Sequence, residues 1–421
     1  MKIASILPYK ENYTEKGAGA VALWIYSFIR DSKYKMNTYI IGSTSNKNYL
    51  SNNYMNINIE NINSKLNSTT KEYSNKIIQK IKNLNFDIIE LHNRPIMVNE
   101  FFHKVNSKII LYFHNDPTTM KGAKSVSERI HLLKSVDKII FISEWVKKRF
   151  FQNLPKLSDN KTQIIYHSID AYKKDVKKKK QIIFVGKLNE SKGYDLYCKS
   201  LFKVLNENKL WKAVSIGEEK RFQNFPMHKR HKNLGQIAHK KVLKCLSESE
   251  IAIIPSRWEE PFGRTALEAA SRGCATIISN TGGLSETTDH AIKLKKLNIE
   301  NIEMEIIKLI KNEKLRKNIQ LKSKRFVKHK LKDNSKKIDL MRESLFPFFF
   351  INSKNKKLRI LNIYNLAQKL NHRIYNLSLG KKFTNGFIRN GHDVIEISDR
   401  DYVRQNKSIG FFNNKDKFHS Y

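Results

Sequence analysis

The chain predicts an α/β protein built from two consecutive doubly wound, Rossmann-like domains that face one another across a cleft. Short β-branched runs alternate with longer helical patterns, which argues for parallel sheets made of βαβ units. A charge run without apolar periodicity, Lys173-Lys174-Asp175-Val176-Lys177-Lys178-Lys179-Lys180, interrupts the alternation, and the pattern then restarts. At 421 residues the chain has room for two such cores and a remainder.

Taken in order, the first domain spans residues 1–170. Its opening run, residues 2–7, is too short and too soon broken by Pro8 to be a signal peptide, and it reads as a first strand. Further strands are expected at 38–41, 87–91, 108–113, 138–142 and 163–166. The linker is set at 171–181. The second domain, 182–338, has strands at 181–185, 212–216, 251–254 and 275–278, with a basic helical stretch over 301–337. A cross-over helix at 339–351 carries bulky apolar residues suited to packing back across both domains. Residues 358–421 start afresh as a truncated βαβ tail, with strands at 358–363 and 392–397 around a helix at 381–389. By itself such a unit is marginal, since it cannot bury a two-stranded sheet. Ligands of open parallel sheets sit at the carboxyl ends of the strands, and the cleft is expected there.

The net charge of +40 is the compositional outlier. It fits docking on an anionic membrane, nucleic-acid binding, or a Lys-rich bias spread over solvated faces. No recognition helix, RNP-like motif or zinc spacing supports nucleic acid. Cys198, Cys245 and Cys274 are few and scattered, which implies neither a disulfide framework nor a metal site and suits a reducing, cytoplasmic compartment. The most apolar later stretch, residues 345–351, is far too short to span a bilayer.

Chemistry concentrates in the second domain. Glu260 and Glu268 bracket Pro261, Phe262 and Gly263, with Ser256 before them and Gly282, Gly283 and Glu286 after. Paired acids can grip sugar and ribose hydroxyls. Thr265 with Glu268 also has the spacing of a helix capping box, a purely structural alternative. Upstream, Gly186-Lys187 and Lys192-Gly193 follow a strand, where two cations can cover a diphosphate and stabilise its departure. Two solvated lysines are the plain alternative. In the first domain, Lys16-Gly17-Ala18-Gly19-Ala20 lies between the first strand and helix, where backbone N–H groups make a natural anion site, or simply a tight turn. His92 and His114 end strands at the expected cleft and could contact a sugar hydroxyl or charge at the reacting centre, unless they are satisfied loop histidines.

Together these residues resemble a family 4 retaining glycosyltransferase of the GT-B fold over roughly residues 1–350. Glu260 and Glu268, with seven residues between them, match that family's two-glutamate motif, and residues 184–193 match its strand and basic loop. Pro255-Ser256, Gly217, Gly235 and Gly282-Gly283-Leu284-Ser285-Glu286 fall in the expected places. The resemblance implies metal-independent transfer, without cofactor, from a UDP- or GDP-linked sugar to a cell-surface glycan or lipid-linked acceptor, as in lipopolysaccharide or other polysaccharide synthesis. By that likeness Lys187 and Lys192 hold the diphosphate, Glu260 the sugar and Glu268 the ribose. Gly19 and Gly283 line the phosphates, and His114 sits near the anomeric carbon. Phe262, Gly263, Gly186 and Gly282 complete the donor site, with His92 toward the acceptor.

Three positions depart from the family: Lys187 replaces an arginine, the glycine loop is Gly-Ala-Gly, and Tyr166-His167-Ser168 precedes Ile169-Asp170 in place of Pro-Asn-Gly. The tail, around residues 382–394, resembles the start of another bacterial glycosyltransferase. Asp399-Arg400-Asp401 imitates a metal motif of a different glycosyltransferase fold but has no cooperating residues. Residues 143–151 mix basic and aromatic side chains, which predicts peripheral contact with the inner face of the plasma membrane unless the helix buries its aromatics. Rival readings are a GT-B enzyme with a small soluble acceptor, and a non-catalytic basic protein binding membrane or nucleic acid.

Overall fold

A computed structural model describes residues 1–15, 17–45, 48–59, 68–156, 159–170, 172, 176–219, 225–346, 358–364 and 379–398. The chain divides into one unit at Met1–Leu345 and a second at Phe346–Tyr421.

The apolar runs of the first half form β1 (Ile3–Ile6), β2 (Thr38–Gly42), β3 (Tyr54–Asn56), β4 (Ile88–His92), β5 (Lys108–Phe113), β6 (Lys138–Phe141) and β7 (Thr162–Ile164). They make one seven-stranded sheet in the order β3-β2-β1-β4-β5-β6-β7, parallel throughout. Parallel strands with helices on both faces are buried on both sides, which is why β4 and β5 read as nearly unbroken apolar runs. The helices between them are α1 (Ala20–Arg30), α2 (Thr69–Ile81), α3 (Val98–Phe102), α4 (Val126–Ser135) and α5 (Glu144–Phe151).

The second half repeats the plan with β8 (Lys179–Val185), β9 (Lys212–Ile216), β10 (His231–Asn233), β11 (Ser249–Ile254), β12 (Ala275–Ile278) and β13 (Ile292–Lys293). Their order is β10-β9-β8-β11-β12-β13, again parallel. Helices α6 (Tyr194–Glu207), α7 (His239–Glu248), α8 (Arg264–Ser271), α9 (Ile299–Lys311), α10 (Glu313–Arg325) and α11 (Leu331–Ser344) cover it. Strands β3, β10 and β13 were not expected from the sequence, because two or three polar-rich residues carry no periodicity. Part of the expected linker, 171 and 173–175, lies outside the described residues.

The basic stretch is broken where Asn312 caps α10 by accepting from Leu315 N at 2.9 Å. The cross-over helix starts earlier than expected, at Leu331, and residues 347–351 lie outside the described residues. Leu331, Ile338 and Met341 are buried along it, and a buried ion pair joins it to the first sheet domain. Arg342 donates to both carboxylate oxygens of Glu90 at 2.9 Å, and both side chains have 0% exposure. Tyr112 adds a third donor to Glu90 at 3.0 Å, and Ser335 donates to Phe28 O at 3.1 Å.

Of the two readings of residues 143–151, α5 shows the burial of apolar side chains that the amphipathic alternative asks for, with Trp145 and Phe151 only partly buried. Val146 and Phe150 are buried in the core, and Arg149 lies 5.7 Å from the Trp145 ring. The helix N-terminus is turned to the second sheet domain. Glu286 accepts from Glu144 N at 2.8 Å and Trp145 N at 2.9 Å, while Ser143 Oγ donates to Pro261 O at 2.5 Å. Among the described residues, no helix is long and apolar enough to cross a membrane.

In the second unit, β14 (Arg359–Tyr364) and β15 (Asp393–Ser398) pair in parallel around α12 (Leu379–Arg389), the expected βαβ arrangement. Glu396 accepts from Lys381 and Thr384, each at 2.7 Å. Leu361, Ile363 and Ile395 are more than half exposed. Asp399-Arg400-Asp401 lies outside the described residues.

Candidate active site

Two loops of the second sheet domain are locked together before either can present a functional group. After β8 the chain turns through Asn189, whose side chain accepts from Lys192 N at 3.1 Å. Ser191 O then accepts from Arg257 N and Trp258 N, both at 2.9 Å. Gly193 has φ +70°, and a Cβ there would lie 1.9 Å from Pro255 O, so only glycine allows this approach. The result brings Lys192 Nζ to Glu260 Oε1 at 2.6 Å, with the same ammonium 4.2 Å from the Trp258 ring centre. The side chains keep 23% and 12% of their exposure, so the ion pair is reachable but poorly screened.

This pair lines a cavity of about 250 Å³ between the two sheet domains. The carboxyl ends of β5, β8 and β11 converge on it, supplying His114, Gly186 and Ile254, and Phe262 and Gly263 line it from the loop before α8. Gly263 caps α8 at φ +90°, where a Cβ would strike Leu284 Cδ1 at 2.2 Å. His114, Lys192, Glu260, Phe262, Gly263 and Gly186 are therefore brought together as the sequence suggests.

Other candidates lie elsewhere. Lys187 is exposed and outside the cavity wall. Gly19 is the N-cap of α1, but Glu11 already fills the anion position there, accepting from Ala22 N at 3.3 Å. Burial raises the Glu11 carboxyl above its usual range, against the lowering effect of the Ala22 and Val21 N–H groups. Lys16 lies outside the described residues. Gly282 and Gly283 are needed for chain packing, since added Cβ atoms would lie 2.4 Å from Glu260 O and 2.2 Å from Pro261 O. They support the glutamate loop from behind. His92 does not face the cavity, contrary to expectation. It is 1% exposed and lies behind His114, bonded to it at 3.1 Å and to Ser5 Oγ at 2.9 Å.

Glu268 is neither a capping-box residue nor part of the cavity wall. Its Oε1 accepts from Arg264 Nε at 2.8 Å and His239 Nε2 at 2.9 Å, and Gly263, not Thr265, caps the helix. Burial by itself would raise its carboxyl, but Arg264 and His239 hold it down at about 2. Arg264 is a residue that sequence reasoning missed. It lines the cavity, and its Nη1 is buried with no partner among the described residues. The available signal was its i,i+4 spacing to Glu268. His167 also lines the cavity and was noted only as a departure in the interdomain loop.

Chemically, the wall offers two cations, one carboxylate and a neutral aromatic and imidazole face. Burial, with neighbouring Arg342, His92 and His114, keeps His92, His114 and His167 well below the usual histidine range. Among the described residues, no group of three or more His, Cys, Asp or Glu is placed to hold a metal ion.

Residues 168–326 match the family model described as glycosyl transferases group 1. The putative glycosyltransferase YtcC of Bacillus subtilis strain 168 is 24% identical over 256 residues, covering 53% of this chain and 62% of that protein. An uncharacterized 41.2 kDa protein in the cps region of Klebsiella pneumoniae is 29% identical over 252 residues, covering 53% and 69%. The chain spans roughly half to two thirds of the length of such curated relatives. Among solved structures, Anabaena Alr3699/HepE in complex with UDP and glucose superposes with a TM-score of 0.65 at 14% identity, covering 82% of this chain and 100% of that one. The architecture is thus GT-B.

Proposed function

We propose that the cavity transfers a sugar from a nucleoside-diphosphate donor, a reading supported by the match of residues 168–326 to glycosyl transferases group 1 and by the GT-B fold. The observation that carries the reading is the Lys192–Glu260 ion pair on the cavity wall, facing His114. A bound diphosphate takes over Lys192 and the unpartnered guanidinium edge of Arg264, which frees Glu260 to accept from sugar hydroxyls. The cations stabilise charge as the diphosphate leaves, a contribution worth several kcal/mol in a water-poor site. Glu268, behind the wall, holds Arg264 in place.

The course is retaining. The bond from the anomeric carbon to the diphosphate oxygen breaks as the acceptor oxygen attacks the same face, and the leaving phosphate takes the acceptor's proton. A UDP- or GDP-linked donor fits this scheme, and the UDP and glucose held by the Anabaena protein favour UDP. The acceptor is a cell-surface glycan or lipid-linked sugar, a reading favoured by similarity to proteins of the Klebsiella pneumoniae cps region. The site of action is the cytoplasm at the inner face of the plasma membrane.

The test is incubation of the full chain with a panel of nucleotide sugars and lipid-linked saccharides, read by mass spectrometry and anomeric NMR. An α-linked product from an α-linked donor supports the reading, and an inverted product or release of intact donor alone opposes it.

A further inference from the structure

Three histidines and a serine form one hydrogen-bonded row beneath the cavity. Ser5 Oγ meets His92 Nε2 at 2.9 Å, His92 Nδ1 meets His114 Nε2 at 3.1 Å, and His114 Nδ1 meets His167 Nε2 at 3.2 Å. The row ends at His167 Nδ1, which is buried and has no partner among the described residues. His167 is 4% exposed and lies on the cavity wall, so its free atom can be satisfied by a ligand.

The direction of the row follows from its closed end. A neutral imidazole has one N–H and one lone pair, so each ring must accept on one side and donate on the other. Ser5 is fully buried, and His92 is its one side-chain partner among the described residues. If His92 donated to Ser5, the serine proton would be stranded in the core without an acceptor, a cost the opposite direction avoids. Ser5 therefore donates to His92 Nε2, His92 Nδ1–H to His114, and His114 Nδ1–H to His167 Nε2. That leaves His167 with a proton on Nδ1. Trp24 stacks on its ring at 5.6 Å and Phe262 lies at 5.7 Å, fixing the plane in which that proton points.

We propose that His167 donates through Nδ1–H to an oxygen of the sugar half of the donor, in a tautomer imposed from Ser5 through His92 and His114. The inference rests on the glycosyl-transfer reading of the same cavity. A neutral donor between aromatic faces suits a sugar hydroxyl, whereas Lys192 and Arg264 supply the charge that a diphosphate needs.

Long-range ¹H–¹⁵N spectra of the full chain labelled at histidine give the tautomers directly, with His92, His114 and His167 assigned from single His→Asn variants. Nδ1–H forms at all three are expected, and an Nε2–H form at His167 overturns the proposal. Binding is then measured with UDP, UDP-glucose, GDP and GDP-mannose. His167→Phe should weaken the tightest sugar nucleotide about tenfold while leaving its free nucleoside diphosphate within about twofold. His167→Asn, which keeps a donor, should recover most of the loss. Equal weakening of both ligands overturns the role of His167 alone. A panel in which no nucleotide binds overturns the glycosyl-transfer reading and this inference with it.

Discussion

Lys192 and Glu260 are bonded at 2.6 Å across the mouth of two interlocked loops, each the other's only ionic partner among the described residues. In the proposed reaction the pair separates, the lysine going to the diphosphate and the glutamate to the sugar. Glu260→Gln should then retain nucleoside diphosphate binding and lose turnover by about 10²-fold or more. Lys192→Ala should lose both. Steady-state kinetics with calorimetry separates the two, and equal binding loss in both variants would argue against the division of labour.

The Glu286 carboxylate adds a cap from the second sheet domain to α5, whose own N-cap Ser143 Oγ accepts from Val146 N at 3.1 Å. A charged cap on exposed N–H groups is worth about 1 kcal/mol. Glu286→Ala should loosen the contact between the two sheet domains more than it destabilises either. Small-angle scattering checks this, with a larger radius of gyration expected for the variant and a superimposable curve opposing the idea.

Arg342 and Glu90 are fully buried partners on α11 and β4. Removing one partner strands the other charge, so Arg342→Ala should cost about 3–5 kcal/mol of unfolding free energy. Denaturant titration measures it. A change within about 0.5 kcal/mol, the range of ordinary surface substitutions, would contradict the burial.

Acid should weaken the fold through its buried histidines. Burial holds His92, His114 and His167 well below 6.5, and it lowers His231 and His329 to about 4. Below pH 6.5 the unfolded chain takes up protons that the folded chain refuses, so stability falls with pH by up to about 1.4 kcal/mol per unit for each such histidine. The depressed Glu268 acts later, its contribution being lost between about 4.5 and 2. Thermal melts from pH 7 to 5 should show a falling midpoint, and a flat profile would oppose the buried neutral row.

Much of this was legible locally. His114, Gly186 and Glu260 sit at strand ends or turns that the periodicity marks, and parallel-sheet topology does the rest. What escaped depends on distant partners. The row from Ser5 to His167 spans 162 positions of sequence, and no spacing rule connects its members. Glu268 was visible as an acid, but its pairing with His239 depends on how α7 lies against α8. Glu11 could not be placed in the Gly19 anion site without the loop that folds it back. The basic–aromatic pattern of residues 143–151 left two readings open, because lysines on the outer face and aromatics packed inward give the same composition as a membrane surface.

The most direct test of the central claim is thermal stabilisation of the full chain by UDP and GDP, set against the Lys192→Ala variant. At a ligand concentration one hundred times the dissociation constant, the native state should gain about 2.7 kcal/mol, and the variant should show almost none of it. Indifference of the wild-type melting temperature to both nucleotides, or an undiminished gain in the variant, would contradict a cavity built for an activated sugar.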